Sequence, residues 1–423
     1  MKYTQYLDAS QIDFGRFLRP GDMVTWGQAS AEPQTLTEQL MVQRAEAGPF
    51  RCFLGIPATR TVRPEHADHI SFVSYCGSGG NRALFRAGVL DIVPVHYSTL
   101  PDLLTRGPLA VDVLLLQLPP SDENGRYSVG LADDYLLAAL TTARVVIAEV
   151  NDQVPRTYGR RSLTDRDLDI VVRTSRPPAQ LAPRPTDDVT LRIAQNAAQM
   201  IDDGATLQFG IGAIPEAVLA ALGDRSDLGI HSGLLNDTAA DLMDRGVITN
   251  ERKSLDRGRA VAGVLMGTQR LFRFADRNRA IELRDTRYTH APAVLAGQDR
   301  LAAINSAIEV DLTGQINAEV AAGDYVGAIG GGADFLRGAA RSRGGLPIIA
   351  LPATAGTASR IVPSLTGPVS TARSDAGIVV TEFGVADLRC RPLQERRELM
   401  VALAHPDHRP ALEKAIEKPG VLL

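Results

Sequence analysis

The residues with the most capacity for chemistry lie in two glycine-rich turns and two acidic stretches. The first turn is Leu207-Gln208-Phe209-Gly210-Ile211-Gly212-Ala213-Ile214-Pro215: an apolar run, two glycines and a helix start. Gly210 and Gly212 let the chain turn sharply and leave backbone N–H groups bare to a close ligand. Pro215 suits a first helical turn, where no intrahelical bond is lost. Such a turn aims amides and a positive dipole end at an anion, although two glycines after a strand also describe a turn with no ligand. The second turn is Ile329-Gly330-Gly331-Gly332-Ala333-Asp334. Three consecutive glycines cost backbone entropy. A ligand in close approach, or an oxyanion site made of backbone N–H groups, would account for them; so would a flexible turn.

The acidic stretches supply carboxylates. Glu309 and Asp311 are two residues apart and share one face of a strand expected over residues 304–312. They are either site carboxylates, able to act as base or nucleophile, or a solvated pair. Glu123 sits in Ser121-Asp122-Glu123-Asn124-Gly125-Arg126, just after the apolar run 111–118. Strand ends are where α/β proteins place ligand contacts, but any hydrophilic turn reads the same way. Cys76, at the end of an apolar run, would be a nucleophile only with a cation or helix start beside it. His96 and His231 could act as bases, yet neither has a metal-ligand partner at helical spacing.

The elements that must hold these residues follow an alternating pattern. Runs 50–56, 70–75, 111–118 and 145–150 are short and aliphatic, as buried strands are, and residues 135–143 read as helical. That alternation predicts a parallel or mixed sheet covered by helices. The proline-rich run 176–185 cannot continue either element, because proline removes donors and fixes φ, so it marks a linker. Asp187 or Asp188 caps the next helix, with Val189, Ile193 and Ala197 on one face and Gly204 at its end. A second α/β pattern places strands at 229–232, 261–266, 304–312, 346–351 and 377–383, then terminal helices over 392–418. The expected architecture is α/β in two tandem domains, residues 1–186 and 187–423, with a ligand cleft between them.

Bulk properties exclude several classes. The chain has 423 residues, 44% hydrophobic and 22% charged, the balance of an ordinary globular protein. A net charge of −4 offers no basic field to nucleic acid or an anionic membrane. Cys52, Cys76 and Cys390 are too few and too scattered for a disulfide framework or a metal site. They suit a reducing cytoplasm. No apolar run is long enough for a bilayer, and residues 1–6 lack a signal-peptide pattern. The expectation is a cytoplasmic protein with no metal, no nucleic-acid partner and no membrane partner.

Taken together and in order, residues 111–128, 147–157, 207–219, 305–317, 329–335 and 381–389 resemble the acetyl-CoA hydrolase/transferase family, which includes acetate and 4-hydroxybutyrate CoA-transferases. The resemblance covers nearly the whole chain. It implies two similar α/β domains with acyl-CoA between them, a small carboxylic acid as second substrate, and a homodimer. It implies coenzyme A contacts at Gly210, Ile211, Gly212, Ala213, Ile214, Ile308 and Gly331, with Gly330 and Gly332 beside the last. It also implies a covalent route, in which a glutamate attacks the thioester and carries CoA between two acids.

Here the chain departs from the family pattern. After Leu228-Gly229-Ile230-His231-Ser232, the glutamate position holds Gly233, and Gly332 stands where the family often has glutamine. Three expectations follow. The first is an acyl-CoA enzyme with altered chemistry: hydrolysis, or acyl transfer or rearrangement without a glutamyl-CoA intermediate. Glu309 or Glu123 would then be the base, and residues 330–332 would supply oxyanion donors. The second is transfer to a carboxylate acceptor with Glu309 or Glu123 as replacement nucleophile. The third is acyl-CoA binding without catalysis. A dinucleotide-dependent dehydrogenase fits less well, because the Gly210 turn lacks the third glycine of that fingerprint.

Overall fold

Among the described residues, the chain alternates strands and helices through two large sheets and several small ones. The computed structural model describes residues 4–183 and 185–416. Arg184 of the expected linker, residues 1–3, and positions 417 and 418 of the expected terminal helices lie outside the described residues.

The first sheet has eight strands, all parallel. Its central strands Val113–Leu118 and Val145–Asn151 are buried at every residue. Continuous burial is what strands covered on both faces require, and it explains sequences that are apolar but for Gln117, Glu149 and Asn151. From Met23–Trp26 the chain moves outward through Phe50–Leu54, Ile70–Ser74 and Leu90–Ile92. It then returns to the other side of Met23–Trp26 for Val113–Leu118, Val145–Asn151 and Ile170–Thr174, and Gln5–Leu7 forms the far edge. The direction of winding therefore reverses between Met23–Trp26 and Val113–Leu118, which opens a crevice at their carboxyl ends.

The second sheet repeats the device with six strands. Gly229–Ile230 lies on one side of Thr206–Phe209 and Leu301–Ser306 on the other, followed by Leu346–Ala350 and Ile378–Thr381. Gly384–Asp387 closes the edge as an antiparallel hairpin. Winding reverses between Thr206–Phe209 and Leu301–Ser306, so Gly210 and Asn305 stand at the second crevice.

The two halves are joined by pairing as well as packing. Tyr158–Gly159 pairs in parallel with Ile281–Leu283, and His96 bridges Gly330. Gly77 N–H donates to Gly327 O and Asp133 N–H to Gly263 O, both at 2.9 Å. One apolar cluster runs from Phe53, Leu114 and Tyr135 of the first half to Leu207, Ile230 and Ile348 of the second. Among the described residues no helix is long and apolar enough to cross a membrane.

Three expected elements differ in detail. Residues 135–143 form a tight 3-10 turn, Leu136–Thr141; the Thr141 and Thr142 hydroxyls bond back to the Ala138 and Ala139 carbonyls and end it. The strand expected over 304–312 splits. Leu301–Ser306 stays in the large sheet, while Glu309–Asp311 joins a small sheet with Ile316–Asn317 and Ile361–Val362. The strand expected over 261–266 breaks at Gly263, whose N–H turns to Gly233 O at 3.0 Å. A Cβ at Gly263 would sit 2.9 Å from that oxygen.

Candidate functional site

Three carboxamides and two glycine turns meet where the crevices face each other. Thr206–Phe209 runs straight into Gly210, and Gly212 then caps the helix Ala213–Ala221 at φ +133°, a conformation glycine adopts without strain. Pro215 falls in the first turn of that helix. On the neighbouring strand, Asn305 Nδ2 donates to Gln208 Oε1 at 2.9 Å, and Gln208 Nε2 donates back to Asn305 Oδ1 at 3.3 Å. A Cβ on Gly210 would lie 3.1 Å from that Asn305 oxygen, so glycine keeps the turn close to the pair.

From the first sheet, Gln28 stands two residues past the end of Met23–Trp26. Its Oε1 accepts from Tyr75 Oη–H at 2.8 Å, and its Nε2 donates to Tyr97 Oη at 2.7 Å and Asp134 Oδ2 at 2.8 Å. Burial pushes Asp134 up to about 6 and Tyr75 and Tyr97 far above the ordinary phenol value. Both phenols stay protonated and act as donors.

These groups enclose a cavity of about 130 Å³, whose lining includes Gln28, Tyr97, Gly210, Gly233, Asn305 and Gly331. It adjoins a second space of about 110 Å³, with Gly210, Ile211, Leu234 and Met266 common to both walls. Larger surface cavities exist, of about 420 Å³ around Tyr158 and Arg279 and about 630 Å³ around Glu123 and Arg277. The larger begins at Pro119 and Pro120, just past Val113–Leu118, but neither is lined by residues that follow Met23–Trp26, Thr206–Phe209 or Leu301–Ser306, the other strands at the reversal points where open α/β folds bind ligands.

The second glycine turn faces the same space. Gly331 caps the helix Gly332–Arg341, whose first-turn amides have no intrahelical partner. Asp334 fixes that turn against the first half by accepting from Ser98 Oγ at 2.9 Å and Ser98 N–H at 3.2 Å. Between Gly331 and Gly233 lies the ring of His290. It is tilted against Tyr97 with centroids 4.8 Å apart and against Phe335 at 4.5 Å. A Cβ at Gly331 would fall 2.6 Å from His290 Nε2, and one at Gly233 would fall 3.3 Å from Cε1. Burial drags the His290 pKa down to about 3, so the ring is neutral.

The expected site residues divide into those at the cavity and those elsewhere. Gly210, Ile211, Gly233, Gly331 and Gly332 meet there, and Gly212 borders the adjoining space. Ala213 and Ile214 form the first turn of the helix behind it. Gly330 turns at φ +56° and its carbonyl accepts from Tyr97 N–H at 2.9 Å. Ile308 lies in the break between the two strands, its N–H bonded to Asn317 O at 2.8 Å.

The structure brings neither expected carboxylate to the cavity. Glu309 is buried, and its Oε1 accepts from Thr366 N–H at 2.7 Å, Gly367 N–H at 3.0 Å and Asn317 Nδ2, while Oε2 accepts from the Thr366 hydroxyl at 2.9 Å. These bonds hold the 366–367 loop, and Glu309 is not part of the cavity lining. Its strand neighbour Asp311 is spent on the Thr313 and Gln315 amides. Glu123 is exposed and lines the separate surface cavity with Arg277. The histidine and cysteine candidates resolve similarly. His231 uses Nε2 toward Thr289 O at 3.1 Å and Nδ1 toward Gln298 at 3.4 Å. Burial raises the Cys76 thiol, the opposite of what a nucleophile needs. His96 is half-buried beside Gly330.

Sequence reasoning missed Gln28 and His290, and gave Gln208 no role although it lies in the Gly210 motif. Gln28 and His290 belong to no periodic pattern or spaced motif, and each reaches the cavity only through strand order or a loop. Among the described residues no group of three or more His, Cys, Asp and Glu could hold a metal ion.

Comparison with known proteins agrees with this arrangement. The family described as acetyl-CoA hydrolase/transferase N-terminal domain matches residues 1–174, and its C-terminal counterpart matches residues 267–416. The 4-hydroxybutyrate coenzyme A transferase of Clostridium kluyveri is 40% identical over 344 residues, 80% of each chain. The succinyl-CoA:cyclohexane-1-carboxylate CoA transferase of Geobacter metallireducens is 34% identical, covering 97% of this chain and 94% of that one. The crystal structure of RipA from Yersinia pestis superimposes with a TM-score of 0.93 at 34% identity, over 99% of this chain and 98% of that one.

Proposed function

The chain belongs to the acetyl-CoA hydrolase/transferase family, and from that premise we propose that it binds acyl-CoA at the cavity between the crevices and passes the acyl group to water, without a glutamyl-CoA intermediate. One observation carries the reading: among the described residues lining the cavity, none has a carboxylate. Covalent CoA transfer needs a carboxylate that can become both an anhydride and a thioester. Gly233 cannot provide one, and Glu309 is held elsewhere by its own hydrogen bonds. In the adjoining space Asp237 accepts from Thr268 N–H and Oγ–H and from Leu271 N–H. Glu216 accepts from Thr238 Oγ–H at 3.3 Å.

What the cavity does offer suits thioester hydrolysis. The Gly332–Arg341 helix start presents bare amides, which suit the oxyanion of a tetrahedral intermediate. The helix start after Gly212 suits a phosphate or carboxylate of the ligand. The Gln28, Gln208 and Asn305 amides give neutral polar contacts. Glycine at 332, where the nearest atom to a Cβ would be Asn305 Oδ1 at 3.8 Å, leaves volume that a water or an acyl chain can use. The names of the relatives favour a second reading, in which a carboxylic acid bound beside the thioester takes the place of water.

Coenzyme A binding is tested by thermal shift. CoA at saturating concentration raises the melting temperature of the wild type. Gly210→Asp sets a carboxylate against Asn305 Oδ1 and removes the shift. An unchanged melting temperature in the wild type contradicts the assignment.

A further inference from the structure

We propose that His290 is the catalytic base of the hydrolysis described above: its Nε2 accepts a proton from the water that attacks the thioester. The proposal rests on that reading and adds the residue that would perform it. The family position for a nucleophile is empty of side chain at Gly233, but the space in front of it is not. A Cβ built there meets His290 Cε1 at 3.3 Å and Nε2 at 3.5 Å before anything else. Gly331 comes closer still, at 2.6 Å from Nε2. Two glycines thus make room for one imidazole, and its Cε1–Nε2 edge stands where a side chain from position 233 would emerge.

The ring is held as a working group must be. Tyr97 and Phe335 pack against it. Thr289 Oγ lies 2.9 Å from Nδ1. That hydroxyl also donates to the Asp285 carbonyl four residues back, at 3.3 Å, the common habit of threonine in a helix. In the tautomer this step requires, Nδ1 carries the hydrogen and donates to that hydroxyl, which leaves Nε2 its lone pair. Burial keeps the ring neutral, with its pKa near 3, so that lone pair is free at neutral pH but only weakly basic. The imidazolium gains a counter-charge only as the oxyanion forms beside it, so its cost falls when the proton moves. No other lining group can serve: the phenols stay protonated and the carboxamides are not bases.

The step balances. Water oxygen bonds to the thioester carbon as one O–H proton passes to Nε2, and the carbonyl pair moves to oxygen. Collapse of that oxyanion breaks the C–S bond, and the leaving thiolate takes the proton from Nε2. Acyl-CoA and water become carboxylic acid and CoA–SH, with His290 restored.

The test compares wild type, His290→Gln and His290→Ala on acetyl-CoA, butyryl-CoA and succinyl-CoA by thiol release. A positioned base contributes about 10²–10⁴-fold. Both variants should therefore lose at least about 100-fold in kcat with KM shifted by under about threefold. Both should also keep the CoA thermal shift. Added imidazole should restore part of the His290→Ala rate, which no packing defect would allow. A wild type active on any of the three, with His290→Gln within about tenfold of it, overturns the role of His290 and leaves hydrolysis standing. A wild type inert on all three overturns hydrolysis and this proposal with it.

Discussion

Gly331 and Gly332 are adjacent, yet their substitution by alanine should have opposite consequences. At Gly331 a Cβ would sit 2.6 Å from His290 Nε2 and 2.9 Å from Cδ2, inside any real carbon contact. The ring cannot slide away freely, being packed at a tilt between Tyr97 and Phe335 and bonded to Thr289 at 2.9 Å. Overpacking of this kind costs ~1–3 kcal/mol. At Gly332 the nearest atom to a Cβ is Asn305 Oδ1 at 3.8 Å, an ordinary contact. Alanine is also the better helix former there, so the change is neutral or stabilising by up to ~1 kcal/mol. A chain of this size has an unfolding entropy near 2.1 cal/mol/K per residue, so each kcal/mol moves Tm by about 1 °C. Calorimetry should therefore show Gly331→Ala falling by ~1–3 °C and Gly332→Ala unchanged or slightly raised. In a His290→Ala background the Gly331→Ala penalty should vanish, because the atom it strikes is gone. A penalty that survives there, or one as large at Gly332, refutes the picture of a ring seated between two glycines.

Other outcomes follow from the same contacts. Glu309→Gln should lower stability in urea by ~1–3 kcal/mol, since an amide nitrogen would face the Thr366 and Gly367 donors. Turnover per folded molecule should stay within about threefold; a larger selective loss would return Glu309 to the chemistry. Glu123→Ala should leave turnover and melting temperature unchanged, because Glu123 is exposed at a different cavity. A thiol reagent should modify one cysteine of the native chain, the exposed Cys390, and all of Cys52, Cys76 and Cys390 after unfolding; rapid native labelling of Cys76 would contradict its burial. Burial lowers His231 to about 3 from an ordinary 6.5. Its neutral form therefore stabilises the fold fully above about pH 6.5, and that contribution is lost as pH falls toward 3. Urea midpoints at pH 7 and 4.5 should differ less in His231→Gln than in wild type; an equal difference would mean another group governs the acid limb.

The large features were legible because they are written in local pattern. The buried strands at 50–56, 70–75 and 113–118 announce themselves as aliphatic runs, and Gly210 to Pro215 announces a strand, turn and helix. Asp187 is the helix cap, its side chain accepting from Thr190 N–H. What remained hidden depends on order in the sheet. Met23–Trp26 is only four residues long, too short for its alternation to stand out, yet it fixes the first crevice and delivers Gln28. Glu309 and Asp311 share a strand as expected, but their type could not reveal that neighbouring amides had claimed them. His290 follows the four-residue helix Thr286–Thr289 and has no spacing to any partner. It meets Gly233 and Gly331 only because separate segments converge.

The central claim is that this chain turns over acyl-CoA without a covalent CoA adduct, and intact mass with thiol release tests it most directly. The protein is mixed with acetyl-CoA, butyryl-CoA or succinyl-CoA, with and without acetate or succinate. Thiol release in the absence of added acid, with the protein mass unchanged throughout, is the predicted result. Release or exchange that requires the acid, together with a CoA-sized addition to the protein, would contradict it and show that a carboxylate elsewhere has taken over from position 233.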